Sequence, residues 1–453
     1  MQRFLPLVVG LVLYLIGPVA AEPPLRIATF QADITPPLGT PLCDALVPPA
    51  KQIVDPLSAR GVVLLGAGKP IVLCALDWVG VGNSGHTAFR VALAKAARTT
   101  PERVCVHCLH PHDTPGCDFE ADAILARYGL GGKLFDPVFA RKAIQHVADV
   151  VASAVGHPQT VTSISIGKAR VEKVASNRRV LGPDNKVKYV RYSATRDPRI
   201  RAAPEGLIDP YVQVLGFWDG DRPLAVLSYY ATHPQSYYGQ GGVSCDFPGL
   251  ARQMRDRALP GVLHIHFNGA GGNITAGKYN DGNPANRLVL AQRLARGMKA
   301  AFENSRKVPI TAADVHWRTR AVKLPLSKRY NSKDLAARVA NSKLPVAQRL
   351  QAARNLAWAK RCEAGDTIEL ACLHLGPVYV LHMPGELFVE YQLAAQKMRP
   401  HSPVLMAAYG DYGPGYIGTA IAYTQGGYET GPVSRVAPEV ENVLLSAMRE
   451  LLK

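Results

Sequence analysis

Apolar and polar positions in the first part of the chain alternate between short apolar runs and longer runs with helical spacing. Strand-like runs cover residues 61–65, 70–76 and 104–109, and a helical stretch covers about 86–98. Two further runs, 212–218 and 224–230, flank an Asp-Gly-Asp turn and predict a hairpin. This alternation predicts an α/β fold with a layered mixed β-sheet core and flanking helices.

Helix signals recur through the rest of the chain. Asp136 followed by Pro137 is a typical helix start, and the helix is expected to run to about residue 154. Further helices are predicted at about 331–361, 386–398 and 437–452. Internal repeats and long polar linkers are absent from the sequence, so a single domain is expected over residues 22–453.

The N-terminus has the pattern of a secretory signal peptide. Arg3 precedes an apolar run, 5–16, and small residues at 19–21 precede Glu22, which places cleavage after Ala21. The alternative is an uncleaved anchor, but the apolar run is short for a membrane span and contains Gly10. The sequence therefore predicts a signal peptide over 1–21 and a mature protein that is secreted or periplasmic.

The chain is strongly basic, with 52 Lys and Arg against 35 Asp and Glu, a formal charge of +17. In an exported protein this charge favours contact with anionic surfaces such as lipid headgroups, and no nucleic-acid-binding motif is present. Many of the basic residues lie in 318–361, where helical spacing predicts a solvated face.

The eight cysteines permit disulfides in an exported chain but do not assign them. Cys362 and Cys372, which flank a predicted turn, are the expected pair. Cys105 and Cys108 form a CxxC, but they lie within a strand, so buried thiols are favoured over a redox or zinc motif.

The segment HCLHPHDTPGCD, residues 107–118, carries the strongest chemical signal. A strand ends at His110-Pro111-His112-Asp113, and Pro111 and Pro115 favour a turn there. In an extended chain the side chains of His110 and His112 point the same way, which suits a zinc site. Two loop histidines without a metal are the alternative.

Downstream residues strengthen the zinc hypothesis. His233 in ATHPQS, Glu386 after Pro-Gly, and the tyrosines after 410 all follow predicted strands. Two imidazoles and a carboxylate with an open position form a common catalytic zinc site. The glycine-rich loop 269–277 could cradle a phosphate, but the Walker lysine is missing and a structural turn is the alternative.

Together these segments resemble the catalytic domain of the neutral/alkaline non-lysosomal ceramidases, over about residues 27–445. The matching blocks are, in order, ADITPPLGTPL, HPHDTPG for the family's HTHSGPGG, Asn177-Arg178 for Asn-Arg-Ser, ATHPQS, Asp246 in the SGD-like segment, and PGELF. The resemblance is distant and implies zinc ligands at His110, His233 and Glu386. It also implies substrate contacts by His112 and Arg178.

The tail is the most specific part of the resemblance. The segment YIGTAIAYTQGGYE, residues 416–429, keeps the spacing of the family's YxTTxEEYxxxxYEG block. This implies that Tyr416 is a zinc ligand and that Tyr428 binds near the scissile amide. Two positions depart from the family: Thr275 replaces a serine, and Ile421-Ala422 replaces two glutamates.

The resemblance implies an exported zinc amidohydrolase, with one zinc per chain, that cleaves the N-acyl amide bond of ceramide or a related N-acyl lipid through a zinc-activated water. Thr275 would assist beside the zinc. The chain stops near Lys453, so we expect no immunoglobulin-like C-terminal domain. The alternatives are a zinc hydrolase for another amide or ester and a catalytically silent binding protein. A lipid substrate and an anionic membrane surface are the expected partners, whereas the sequence leaves the oligomeric state unspecified.

Overall fold

The strands of the protein are mostly short, and many of them end in long loops. The computed structural model describes residues 24–453, so the predicted signal peptide lies outside the described residues. In chain order the strands are β1 Arg26–Asp33, β2 Gln52–Ile53, β3 Ser58–Gly66, β4 Gly68–Leu76, β5 Gly80–Val81, β6 Val104–Cys108, β7 Gly116–Cys117, β8 Gln159–Thr160, β9 Ser163–Arg170, β10 Ser176–Asn177, β11 Arg179–Leu181, β12 Val187–Val190, β13 Tyr211–Asp219, β14 Arg222–Tyr230, β15 Gly242–Val243, β16 Leu263–Asn268, β17 Ile274–Thr275, β18 Arg306–Pro309, β19 Val315–Val322, β20 Ile368–Leu375, β21 Val378–His382, β22 Glu386–Leu387, β23 Val404–Ala407 and β24 Tyr416–Ile417.

The helices lie between these strands and cover the sheets. In chain order they are α1 Asn83–Ala96, α2 Phe119–Ala126, α3 Pro137–Val155, α4 Pro198–Ala202, α5 Asp246–Ala258, α6 Asn286–Glu303, α7 Ser332–Ala340, α8 Val346–Glu363, α9 Val389–Met398, α10 Ala420–Gln425 and α11 Val440–Leu451. Within residues 24–453, none of the helices combines the length and the apolar character needed to cross a bilayer.

Three mixed sheets form the centre of the fold. Their strand orders are β6-β4-β3-β1-β8, β16-β14-β13-β9-β18 and β19-β20-β21-β23. Each sheet is mostly antiparallel but contains one parallel pair: β4 with β6, β14 with β16, and β21 with β23. Parallel partners end at the same edge of a sheet, so each sheet has one edge from which two loops leave together.

One apolar cluster joins the three sheets. It contains Leu73 of the first sheet, Leu227 of the second and Leu373 of the third, all fully buried. The outer faces are covered by helices: α1 and α3 lie on the first sheet, and α5 and α6 on the second. The predicted layered mixed α/β architecture is confirmed.

Several local predictions are confirmed because the signals were local. The Asp136 carboxylate accepts hydrogen bonds from the backbone N–H of Val138 and of Phe139, at 2.9 and 3.0 Å, and so begins α3 as expected. The hairpin forms as β13 and β14, although its register shifts between Phe217 and Trp218.

Other local predictions are wrong. The helix expected to begin at Glu386 begins at Val389, since Glu386 lies in the short strand β22. The basic helical region is two helices, because the chain leaves α7 at Asn341 and re-enters a helix after Pro345. The expected disulfide is absent from the described residues, where all eight cysteines are free and Cys372 is buried inside β20.

The basic face predicted for 318–361 is only partly solvated. Arg354 on α8 is buried and forms an ion pair with Asp44, with 2.6 Å between the nearest nitrogen and oxygen. Arg361 forms an ion pair with the buried Asp411. Helical spacing therefore predicted helical structure in this region, but it did not predict which arginines are buried.

Candidate active site

The candidate site lies where the parallel strand pairs of the three sheets end. His110 follows β6 of the first sheet, His233 follows β14 of the second, and Glu386 follows β21 of the third. The loop after β23 adds Tyr412 and Tyr416. Sites in layered α/β folds tend to form at such edges, as the sequence analysis expected.

His110 has an unusual backbone conformation that aims its ring into the site. Its φ is 68°, in the left-handed region, and its N–H donates to the Trp78 carbonyl at 3.0 Å. Such strain in a residue other than glycine is concentrated at functional sites. The rings of His110 and His112 lie 4.7 Å apart. The two rings lie close together, as predicted. The prediction assumed an extended strand, but β6 ends at Cys108, and the left-handed conformation at His110 brings the rings together instead.

The imidazoles of His110, His112 and His233 form a group that could hold a metal ion, with ligand atoms within 4.8 Å of one another. The His110 Nδ1 bonds to the Val79 carbonyl oxygen. This bond orients the ring and leaves Nε2 free to bind a metal. Nε2 of His110 lies 3.4 Å from Oε2 of Glu386, and Nδ1 of His233 lies 3.9 Å from the same oxygen.

Glu386 is held by its neighbours on both sides. Its short strand β22 pairs with β24, so that Glu386 lies opposite Tyr416. The Tyr412 hydroxyl donates to Oε1 at 2.8 Å, whereas Oε2 is buried without a hydrogen-bond partner. Burial alone raises the pKa of the Glu386 carboxyl, but His110 and the two tyrosines outweigh it, and the net pKa is below the usual value.

A buried carboxylate oxygen without a partner is costly unless a cation or donor completes it. His233 also has a buried polar atom without a hydrogen-bond partner, the ring nitrogen Nε2. Burial, followed by the nearby Arg178, lowers the pKa of His233 well below 6.5, so the ring is neutral and can act as a ligand. Two imidazoles, a carboxylate and a tyrosine oxygen fit the donor set that zinc accepts.

Arg178 lies beside this group. Its Nη1 donates to the Tyr416 hydroxyl at 3.0 Å, and its Nε lies 3.8 Å from the buried Glu429. Burial lowers the pKa of Arg178, but the neighbouring Tyr416 and Glu429 raise it by more. The net pKa is above the usual value for arginine, so the guanidinium stays charged. The backbone positions Arg178 through a 2.7 Å bond from its N–H to the Asn273 carbonyl.

Tyr428 lies between the buried site residues and solvent. Its ring packs edge-on against Tyr416 with 5.7 Å between centroids, and 40% of the residue is exposed. Burial of its hydroxyl end, followed by the charge of Glu386, raises the pKa of Tyr428 to about 12. The phenol therefore stays protonated and can donate a hydrogen bond.

A cavity of about 200 Å³ is lined by five of the eight predicted site residues: His110, His112, Glu386, Tyr416 and Tyr428. His233 and Arg178 contact members of this set without lining the cavity. Thr275 is not part of this wall. It is fully buried, and its hydroxyl donates to the Tyr192 carbonyl at 3.0 Å and accepts from the Gly277 N–H at 3.1 Å. The hydroxyl of Thr275 thus has two backbone partners and makes no hydrogen bond to the histidines. The individual catalytic and ligand roles stay predictions.

The glycine-rich loop packs against the segments that carry His233 and Glu386. A Cβ on Gly271 would lie 2.5 Å from the Thr232 carbonyl oxygen, and one on Gly272 would lie 2.2 Å from that of Glu386. Only glycine permits such close backbone approach. This close packing favours a structural role for the loop over a phosphate-binding role.

Several site residues were given no role of their own from the sequence, although Tyr412 is one of the tyrosines after 410 that the sequence pointed to. Tyr412 and Tyr409 line or adjoin the histidines, with the Tyr409 ring 4.9 Å from His110. The Asp44–Arg354 pair belongs to the cavity wall. The tyrosine-rich loop after residue 409 was the available signal for the tyrosines, whereas the ion pair joins residues too distant in sequence to leave any pattern.

Comparison with solved structures gives four similar chains, including two ceramidases. A ceramidase solved in complex with C2 matches with a TM-score of 0.69 and 16% identity, over 95% of this chain and 75% of that one. Neutral ceramidase from Pseudomonas aeruginosa matches with a TM-score of 0.67 at 16% identity and the same two coverages. No protein-family model matches the sequence, and no curated protein matches it. The described chain therefore has the fold of the neutral ceramidases, as its distant sequence resemblance predicted.

Proposed function

We propose that this protein is an exported zinc-dependent hydrolase that cleaves the N-acyl amide bond of ceramide or a related N-acyl lipid. The observation that carries the proposal is the meeting of His110, His233 and Glu386 at the edges of three different sheets, with Oε2 of Glu386 buried and unpartnered. The ceramidase-like fold supports a hydrolase of this general kind.

His110, His233, Glu386 and Tyr416 would hold the zinc ion. Zinc bound by such a set acidifies a water molecule and polarises a carbonyl. Tyr412 keeps the Glu386 carboxylate in place through its 2.8 Å hydrogen bond, and the Val79 carbonyl does the same for the His110 ring.

The remaining side chains bind the reacting amide. Arg178 is charged and buried next to Tyr416, so it can stabilise negative charge that develops on the carbonyl oxygen. Tyr428 and His112 lie on the cavity wall. The protonated phenol of Tyr428 can donate a hydrogen bond to the substrate. The neutral His112 ring donates its one proton, on Nδ1, to the His110 carbonyl at 3.1 Å, so its Nε2 can accept a hydrogen bond from the substrate. Thr275 acts by holding the loop beside Arg178, since its hydroxyl already has two backbone partners.

A hydrolase for a different amide or ester is the second candidate. It is favoured by Thr275, which stands where the resembling family has serine and does not reach the cavity. A substrate panel of fluorogenic N-acyl sphingosine, short N-acyl amines and esters separates the two candidates. Turnover confined to the short substrates would favour the second candidate, and absence of all turnover would favour a binding protein.

The zinc assignment is tested by metal content. His233→Ala is compared with wild type and with His146→Ala, a control at an exposed histidine on α3. We expect His233→Ala to contain about one zinc per chain fewer than the other two proteins, with an unchanged circular dichroism spectrum. Equal zinc in all three proteins would contradict the proposed ligand set.

A further inference from the structure

A second group of metal-binding side chains lies between the first and third sheets. Cys105 and His107 are two residues apart on β6, so their side chains share one face of the strand. His382 ends β21 in the third sheet and meets them there. The ligand atoms of the three residues lie within 4.8 Å of one another, and all three residues are buried.

Hydrogen bonding leaves this group incomplete. The His107 Nδ1 bonds to the Ala408 carbonyl oxygen at 2.8 Å, which places its proton on that nitrogen and a lone pair on Nε2. That Nε2 accepts a 3.0 Å hydrogen bond from Nδ1 of His382, a bond that an ion held by both rings would replace. The other nitrogen of His382, Nε2, is buried with no partner. The His382 residue is only 3% exposed, so its unpartnered nitrogen needs an explanation, and a bound ion provides one.

The group has space and a route to solvent. A cavity of about 40 Å³ is lined by Cys105, His107 and His382, and this is room for an ion and one or two waters. Met383 also lines it, and the Arg90–Glu369 ion pair, with 2.6 Å between the nearest atoms, lies on its wall. The cavity extends to Glu102, which is exposed.

The protonation states suit metal binding. Burial lowers the pKa of His107 to about 3 and that of His382 well below 6.5, so both rings are neutral near pH 7. Burial raises the pKa of the Cys105 thiol, so the thiol is neutral unless a cation is bound beside it.

We propose that Cys105, His107 and His382 form a second metal site, selective for a thiolate-binding transition metal of the copper or zinc type. Two imidazoles and one thiolate are donors that such ions prefer, and Met383 lies on the same cavity wall. Binding forms a metal–sulfur bond and releases the Cys105 proton to solvent. The site uses none of the residues of the proposed hydrolase centre and does not depend on that function.

The test uses a full-chain protein in which His110→Ala and His233→Ala remove the other centre. It is freed of metal with a chelator, reloaded with Cu(I), Zn(II) or Co(II), and its metal content is measured. We expect about one ion per chain, with a thiolate-to-cobalt charge-transfer band in the Co(II) form. Adding Cys105→Ser should abolish the band and lower the metal affinity at least tenfold.

Cys108→Ser is the matched control, because Cys108 is a buried cysteine of the same strand that packs into a different apolar cluster from Cys105. It should leave the band and the bound metal unchanged. His382→Gln gives a second variant should Cys105→Ser fail to fold, and it should also lose the ion. The proposal is overturned if the parent protein binds no metal, or if Cys105→Ser and His382→Gln both keep it.

Discussion

Replacing Gly272 by alanine tests whether the glycine-rich loop holds Glu386 in place. A Cβ at position 272 would lie 2.2 Å from the Glu386 carbonyl oxygen, which is 1.2 Å inside the ordinary contact limit of 3.4 Å. The obstructing atom is backbone, and Gly272 also donates its N–H to the Leu387 carbonyl at 2.9 Å. Either the loop or β22 must therefore move by about 1 Å.

The size of the effect follows from that displacement. Overpacking of this kind costs about 1–3 kcal/mol, which for a chain of this length lowers Tm by about 1–3 °C. A shift of about 1 Å in a reacting group can reduce the rate about 100-fold. We therefore expect Gly272→Ala to lower kcat/KM on fluorogenic N-acyl sphingosine by about 100-fold while the protein stays folded.

The assay pairs this rate with thermal unfolding of the same samples. Gly156→Ala is the control, because Gly156 ends α3 with a right-handed φ of −70° and its Cβ would meet only the Ser153 carbonyl oxygen, at 3.2 Å. It should leave both quantities near the wild-type values. Wild-type kcat/KM and Tm in Gly272→Ala would refute the argument that this loop positions Glu386.

Three further predictions follow from single contacts. Tyr412→Phe removes the 2.8 Å bond to Glu386 and should lower zinc affinity about 10–100-fold, measured by competition with a chelator; an unchanged affinity would contradict the role given to Tyr412. Glu429→Ala leaves two buried arginines without their shared carboxylate and should cost about 3–5 kcal/mol in urea unfolding, whereas a loss below 1 kcal/mol would contradict this. Burial, followed by the charge of Arg252, lowers the pKa of His266 from 6.5 to about 3. The unfolded chain therefore gains the proton first as the pH falls, so the stability contributed by neutral His266 is complete above about pH 6.5 and is reduced by about 2 kcal/mol at pH 5. His266→Gln should flatten the dependence of unfolding free energy on pH between 7 and 5, and an unchanged slope would count against it.

The sequence predicted the parts of this fold that local signals specify. Asp136 and Pro137 begin a helix wherever they precede an amphipathic stretch, and they do so here at α3. The meeting of His110, His233 and Glu386 was also foreseeable, because each follows an apolar run that ends in a loop. The structure brings these three side chains together at the edges of three sheets.

What could not be predicted depends on contacts between distant segments. The strand β22 has two residues, so Glu386 carries no periodic pattern and was placed at a helix start. Its conformation is set by pairing with Tyr416, thirty positions along the chain. Burial of Arg354 depends in the same way on Asp44, and the close packing of Gly272 depends on the path of β22.

Hydrolysis of N-acyl sphingosine by Glu386→Gln, compared with wild type, tests the central claim most directly. Glutamine keeps the size of the side chain and removes the charge that the buried Oε2 presents to the histidines. The account predicts that wild type releases sphingosine and fatty acid, and that Glu386→Gln loses at least 100-fold in kcat/KM while its circular dichroism spectrum is retained. Equal turnover by the two proteins would contradict a catalytic centre built on Glu386.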